Sequence, residues 1–170
     1  MRRVLSTLAL LVCCIAATAQ RGLDFASKYL QEQEGDSTLQ CITVGPKMME
    51  QIIKMANTDG KYDNLKPVIE KLKSARMVTT SSEPEQHYQQ AEALLKQHAG
   101  RFSHQSDFDK GRMRGAFYTR QDRGGNTVEL VMLAQQQPTG AFIVVNITGD
   151  IDEDFIELIT QSADETPRKD

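Results

Sequence analysis

Cysteine is scarce where it would count. The chain has three, but Cys13 and Cys14 fall within an apolar N-terminal run, so Cys41 stands alone in the body of the protein. A single cysteine forms no internal disulfide. A reactive thiol also needs an electropositive, partly exposed setting. The strand-like run Leu39-Gln40-Cys41-Ile42-Thr43-Val44 supplies none, which makes Cys41 an expected small buried hydrophobe. Catalytic signatures are missing as well. There is no G-x-S-x-G elbow, no S-x-x-K and no phosphate-binding loop; Gly111-Arg112-Met113-Arg114-Gly115 and Arg123-Gly124-Gly125 carry glycine at the wrong spacing. No repeat and no proline- or serine-rich linker divides the chain, so one domain is expected.

What is present begins with an address. Arg2 and Arg3 precede an apolar run over residues 4–17, and Ala17-Thr18-Ala19 precedes Gln20. A charged start, an apolar stretch and a small-x-small site make a secretory signal peptide, cleaved between Ala19 and Gln20. The run is shorter than the roughly 20 residues that cross a bilayer. The competing lipoprotein reading would place lipid on Cys13 or Cys14, but their bulky neighbours sit in mid-run. The expected layout is a signal peptide at 1–19, one domain over 20–164 and a frayed polar tail at 165–170.

No second long apolar run follows, so no membrane span is expected in the mature chain. The leader holds two of the twenty basic residues and none of the 23 acidic ones. The mature chain therefore carries 18 against 23, a net −5. An acidic, exported protein is a poor match to nucleic acid, whose binding rests on neutralising phosphates.

Hydrophobic periodicity orders the elements. Phe25, Tyr29 and Leu30 open a short helix that ends at Gly35-Asp36-Ser37, and 38–44 reads as a strand. Gly45-Pro46 turns into a helix with Met48, Met49, Ile52, Ile53 and Ala56 on one stripe, ending at 57–60. Leu65, Val68, Ile69 and Leu72 follow the i, i+3, i+4, i+7 spacing of another helix. A strand at 76–80 and a helix at 84–98 come next. Strands are then expected at 102–108, 113–119, 127–134 and 141–148, with a hairpin turn at Arg123-Gly124-Gly125-Asn126. The nearly all-apolar 142–147 is placed centrally in the sheet. Ile151, Phe155, Ile156, Leu158 and Ile159 mark a final helix. This order predicts an α+β two-layer sandwich, a mainly antiparallel sheet with helices packed on one face.

Three segments carry a family resemblance: Ile42-Thr43-Val44-Gly45-Pro46-Lys47-Met48-Met49, Leu72-Lys73-Ser74-Ala75-Arg76 and Ile147-Thr148-Gly149-Asp150-Ile151-Asp152. With the leader and element order, they resemble the domain of unknown function (DUF) 4252 family over residues 23–160. The resemblance implies a small exported protein of Bacteroides-type bacteria with an α+β fold. It implies no catalytic residue.

The remaining polar clusters have plain explanations. Asp150, Asp152 and Asp154 match the start of a calcium loop. Phe155 and Gln161 stand where its glycine and glutamate belong, so the run reads as helix capping. His87 and His98 lack the i, i+4 spacing of a zinc helix, His104 lies beyond the helix, and Glu92 alone completes no site. All three histidines read as surface or structural. No metal and no cofactor is expected. The one surface feature with a claim to binding is basic: Arg112, Arg114, Arg120 and Arg123, with Lys110 nearby. On an alternating strand Arg112, Arg114 and Arg120 share one face, opposite Met113 and Phe117.

The leading expectation is a noncatalytic binding or interaction module whose partner is an envelope protein or a small ligand. The alternatives are a hydrolase with a dispersed Asp/Glu/His site and an accessory to a membrane-bound signalling protein.

Overall fold

A computed structural model describes residues 23–56, 66–110, 112–137 and 140–164. The leader with Ala19 and Gln20, the helix stop at 57–60, Leu65, Gly111 and the tail at 165–170 lie outside the described residues.

Helix α1 (Phe25–Glu32) starts at Asp24, whose side chain accepts the Ser27 N–H at 2.8 Å. Strand β1 (Gln40–Val44) leads through Gly45 to α2 (Pro46–Ala56), with proline in the first turn where its missing N–H costs nothing. Helix α3 (Lys66–Ile69) is a single turn before β2 (Leu72–Thr80), and α4 (Pro84–Gln97) follows. Strands β3 (Ser103–Lys110), β4 (Met113–Gln121), β5 (Thr127–Gln136) and β6 (Phe142–Gly149) form a meander, and α5 (Glu153–Asp164) is last. Among the described residues the sheet has six strands in the order β1-β2-β6-β5-β4-β3, every neighbouring pair antiparallel. Strand β6 lies between β2 and β5, central as its apolar run predicts.

Three expectations need correction. The helices do not share one face. Along β5, Val131 and Leu133 join a core with Phe25, Tyr29, Leu94 and Leu95 of α1 and α4. Leu130 and Ala134 join a second core with Ile151 and Phe155, flanked by Met49 of α2 and Val68 of α3. Alternate residues of a strand face opposite ways, so helices cover both sides. A strand buried on both faces reads as a continuous apolar run, which is the pattern of β5 and β6.

Leu72 belongs to a strand. The helical spacing that ends on it is overridden by pairing with β6, where Leu72 lies opposite Gly149. It is still buried, as are Ile69 and the strand residue Val78.

Cys41 is exposed. It lies opposite Val78 on the α1–α4 face, but β1 is the outermost strand. The helical cover on that face centres on β2, β5 and β6.

Candidate functional site

An irregularity in β3 shapes a cleft against α4. His104 lies opposite Tyr118, but Ser106 faces Phe117 and Asp107 faces Ala116. One extra residue, Gln105, has entered the strand. In a regular strand, residues three apart point to opposite faces; a bulge resets that alternation. His104 and Asp107 therefore share the face of Tyr118 and Ala116. They meet there, with Nε2 of His104 2.9 Å from Oδ1 of Asp107. The imidazole stands edge-on to the Tyr118 ring, centroids 5.3 Å apart.

Helix α4 provides the facing wall. Glu92, Leu95 and Lys96 recur at i, i+3 and i+4 and so share one side; Lys96 Nζ pairs with Glu92 at 2.8 Å. Between wall and sheet lies a cleft of about 370 Å³, lined further by Ala99 and Phe102. Leu95, Phe102 and Tyr118 form a buried floor, while His104 and Asp107 remain largely exposed on the rim. Burial pushes the Tyr118 phenol up to about 12, with Glu92, Tyr88 and Asp107 adding to the effect. The Tyr88 phenol is also raised, by burial first and then by Glu92. Both phenols stay protonated near neutral pH and serve as hydrogen-bond donors. An apolar floor with a mixed ionic rim suits a small ligand bearing both polar and apolar groups.

The arginines expected to form a basic face are spread along β4. Arg114 and Arg120 do share a face with Ala116 and Tyr118, opposite Met113 and Phe117. Six residues of strand put them roughly 20 Å apart. Each is engaged within the molecule. Arg114 pairs with Glu85 at 2.8 Å and bonds Gln135, and Arg120 Nε lies 2.6 Å from Glu129. Arg112 precedes β4 and Arg123 lies in the following turn, both exposed. That turn is tied by Asp122, which accepts the Gly124 and Asn126 N–H groups.

The three histidines occupy three different places. His87 is a buried strut between Tyr29 Oη at 2.8 Å and Asp36 at 3.2 Å, stacked on Phe142. Thr38 holds Asp36 through its N–H and hydroxyl. Burial raises the Tyr29 phenol, and Asp36 raises it further. His98 contacts the Lys28 ammonium. Only His104 reaches the cleft. In the acidic run, Asp152 caps α5 by accepting the Phe155 N–H at 2.9 Å, as its position predicts. Among the described residues no three His, Cys, Asp or Glu side chains gather as a metal site. No helix among them is long and apolar enough to cross a membrane.

The family model of the domain of unknown function DUF4252 matches residues 32–159. No curated protein shows significant sequence similarity to the chain. Among solved structures, the chain is similar to the Ran-binding protein Mog1p of Saccharomyces cerevisiae at 12% identity and a TM-score of 0.28. The alignment covers 56% of this chain and 58% of Mog1p, little more than half the length of each. Nothing about Mog1p's partner is carried over at that level.

Proposed function

The chain belongs to the family of the domain of unknown function DUF4252, and from that membership we propose that it is an exported, noncatalytic binding module of the bacterial envelope. It takes a small ligand in the cleft between α4 and the β3–β4 edge. Export rests on the Arg2-Arg3 start, the apolar run and the Ala17-Thr18-Ala19 site.

Binding rests on one observation above all: the bulge at Gln105 brings His104 and Asp107 together over the buried floor of Leu95, Phe102 and Tyr118. A hydrolase reading would ask the His104–Asp107 pair to activate a hydroxyl. The hydroxyl among the cleft's lining residues is that of Tyr118, and burial holds its proton tightly enough to make it a donor rather than a nucleophile. The exposed Arg112 and Arg123 lie at opposite ends of β4 and offer two separate positive points to an extended acidic partner, which the engaged Arg114 and Arg120 do not.

Replacing exposed Ala99 by tryptophan fills the cleft from its rim. Small molecules that co-purify with the wild-type protein and are identified by mass spectrometry should be lost from Ala99→Trp at unchanged thermal stability. Equal retention by both proteins would place the ligand elsewhere. Ester or peptide hydrolysis abolished by His104→Ala would make the chain an enzyme. At those two points, Arg112→Glu with Arg123→Glu should weaken recovery of acidic partners at low salt and leave stability unchanged.

A further inference from the structure

We propose that the outer edge of β1, which pairs with no further strand among the described residues, accepts an extended, acid-flanked segment of a partner protein as an added strand. The two edges of the sheet differ in kind. Strand β3 carries Asp107, Asp109 and Lys110, charges of the sort that guard an edge against pairing. Strand β1, Gln-Cys-Ile-Thr-Val, carries none, and four of its five residues are exposed.

A row of apolar side chains points at this edge. Phe117 lies opposite Met132, Met132 opposite Val145, Val145 opposite Met77 and Met77 opposite Ile42. Cover runs out along the row: Phe117 is 1% exposed, Met77 38% and Ile42 55%. Helix α2 adds Met48, Ile52 and Met55 at i, i+4 and i+7, all more than half exposed. A strand laid along β1 with an apolar residue opposite Ile42 extends the row by one member. It also satisfies the outward N–H and C=O groups of β1, the mode of strand addition at a sheet edge. Methionines suit a surface that must adapt to its occupant.

Charge selects the kind of segment. Strand β1 carries no acid of its own. Lys47 and Lys73 are exposed beside the edge. A second copy of the chain would set these lysines against themselves, whereas acidic flanks complement them.

The test uses protein purified from cells expressing the full chain. Its probe is the peptide Glu-Glu-Val-Thr-Val-Thr-Val-Glu-Glu, with a lysine-for-glutamate twin as control. The acidic peptide should slow amide exchange across Gln40–Val44 and slow alkylation of the Cys41 thiol by about tenfold or more, as expected for amides and a thiol taken into a ladder. The lysine twin should do neither, and Ile42→Lys should abolish the effect with an unchanged melting curve. A dimer by sedimentation with β1 already protected would assign the edge to a second copy and overturn the proposal. Protection by phosphatidylglycerol vesicles but not by the peptide would assign it to a membrane and overturn it too. An edge left unprotected at millimolar peptide would also sink the idea.

Discussion

The buried carboxylate of Glu129 accepts a hydrogen bond from the backbone N–H of Phe25 at 2.6 Å, across 104 positions of sequence. The same side chain takes Asn146 Nδ2 at 3.0 Å and Arg120 Nε at 2.6 Å. Asn146 in turn accepts the Ala26 N–H at 2.9 Å. The first N–H groups of a helix have no partner within it, and here two of them are met by side chains of the sheet. Arg76 binds Asp24 and Ser27 from β2, and Arg101 donates to the Leu23 carbonyl at 2.6 Å. Helix α1 is thus fastened to the sheet at its first turn.

Removing that anchor should be costly. Glu129→Ala leaves the Arg120 guanidinium and the Phe25 N–H without their acceptor. Breaking a buried ion pair from one side typically costs about 3–5 kcal/mol. Urea unfolding measures the loss, and amide exchange should show α1 opening before the meander. A loss under about 0.5 kcal/mol, the size of an ordinary surface change, would mean that α1 is held by its apolar face alone.

Gly149 makes a sharper demand on the backbone. Its φ is 153°, and a Cβ there would lie 2.6 Å from both Leu72 Cα and the Lys71 carbonyl oxygen. Neither neighbour is a flexible side-chain tip. Gly149→Ala should therefore lose about 1–3 kcal/mol from conformation alone, with the clash added. Gly100→Ala, where a Cβ meets nothing within 4 Å, is the matched control and should be close to neutral by thermal unfolding.

Acid stability should depend on Asp152. The Phe155 N–H, and then Lys71 at 3.1 Å, hold its carboxyl below the usual range. A group depressed in the folded state stabilises above its unfolded value, near 3.9, and that contribution fades as pH falls through the folded value. Asp152→Asn keeps a capping oxygen but removes the titration. Its stability should fall less steeply between about pH 5 and pH 2 than the wild type's. Equal slopes in urea titrations would show that the charge is not coupled to folding.

Local pattern revealed much of this architecture and missed what depends on distant pairing. The order of helices and strands follows from periodicity and from the corners at Gly45-Pro46 and Thr148-Gly149-Asp150. Leu72 reads as helical because its spacing to Leu65, Val68 and Ile69 is helical; only its pairing across to Gly149 makes it a strand residue. Cys41 reads as buried because its neighbours are strand-like, and edge position is a property of the whole sheet. Glu129 alternates as a solvent-facing residue would, yet α1 arrives from the far end of the chain to bury it. The cleft was hidden for a related reason. His104 and Asp107 are three apart, the wrong spacing for one face of a strand, until the extra residue Gln105 is counted. A three-residue gap between polar groups on a strand of mostly polar residues was the available signal.

Tyr118 links that cleft to alkaline stability. Its phenol is raised from 10.0 to about 12, chiefly by burial and then by Glu92. A proton held more tightly in the folded state leaves stability intact below the unfolded value of 10 and removes it as pH rises through 12. Tyr118→Phe deletes this dependence while keeping the ring against His104. Between about pH 10 and pH 12 the variant should lose stability more slowly than the wild type. Glu92→Gln should move the Tyr118 ionisation toward 10 without reaching it, because burial, the larger cause, remains. Absorbance at the phenolate band, with the Tyr118→Phe curve subtracted to remove Tyr29, Tyr62 and Tyr88, reads the midpoint directly. A midpoint at 10 in the wild-type protein would mean that the floor of the cleft is open to water, and the ligand site with it.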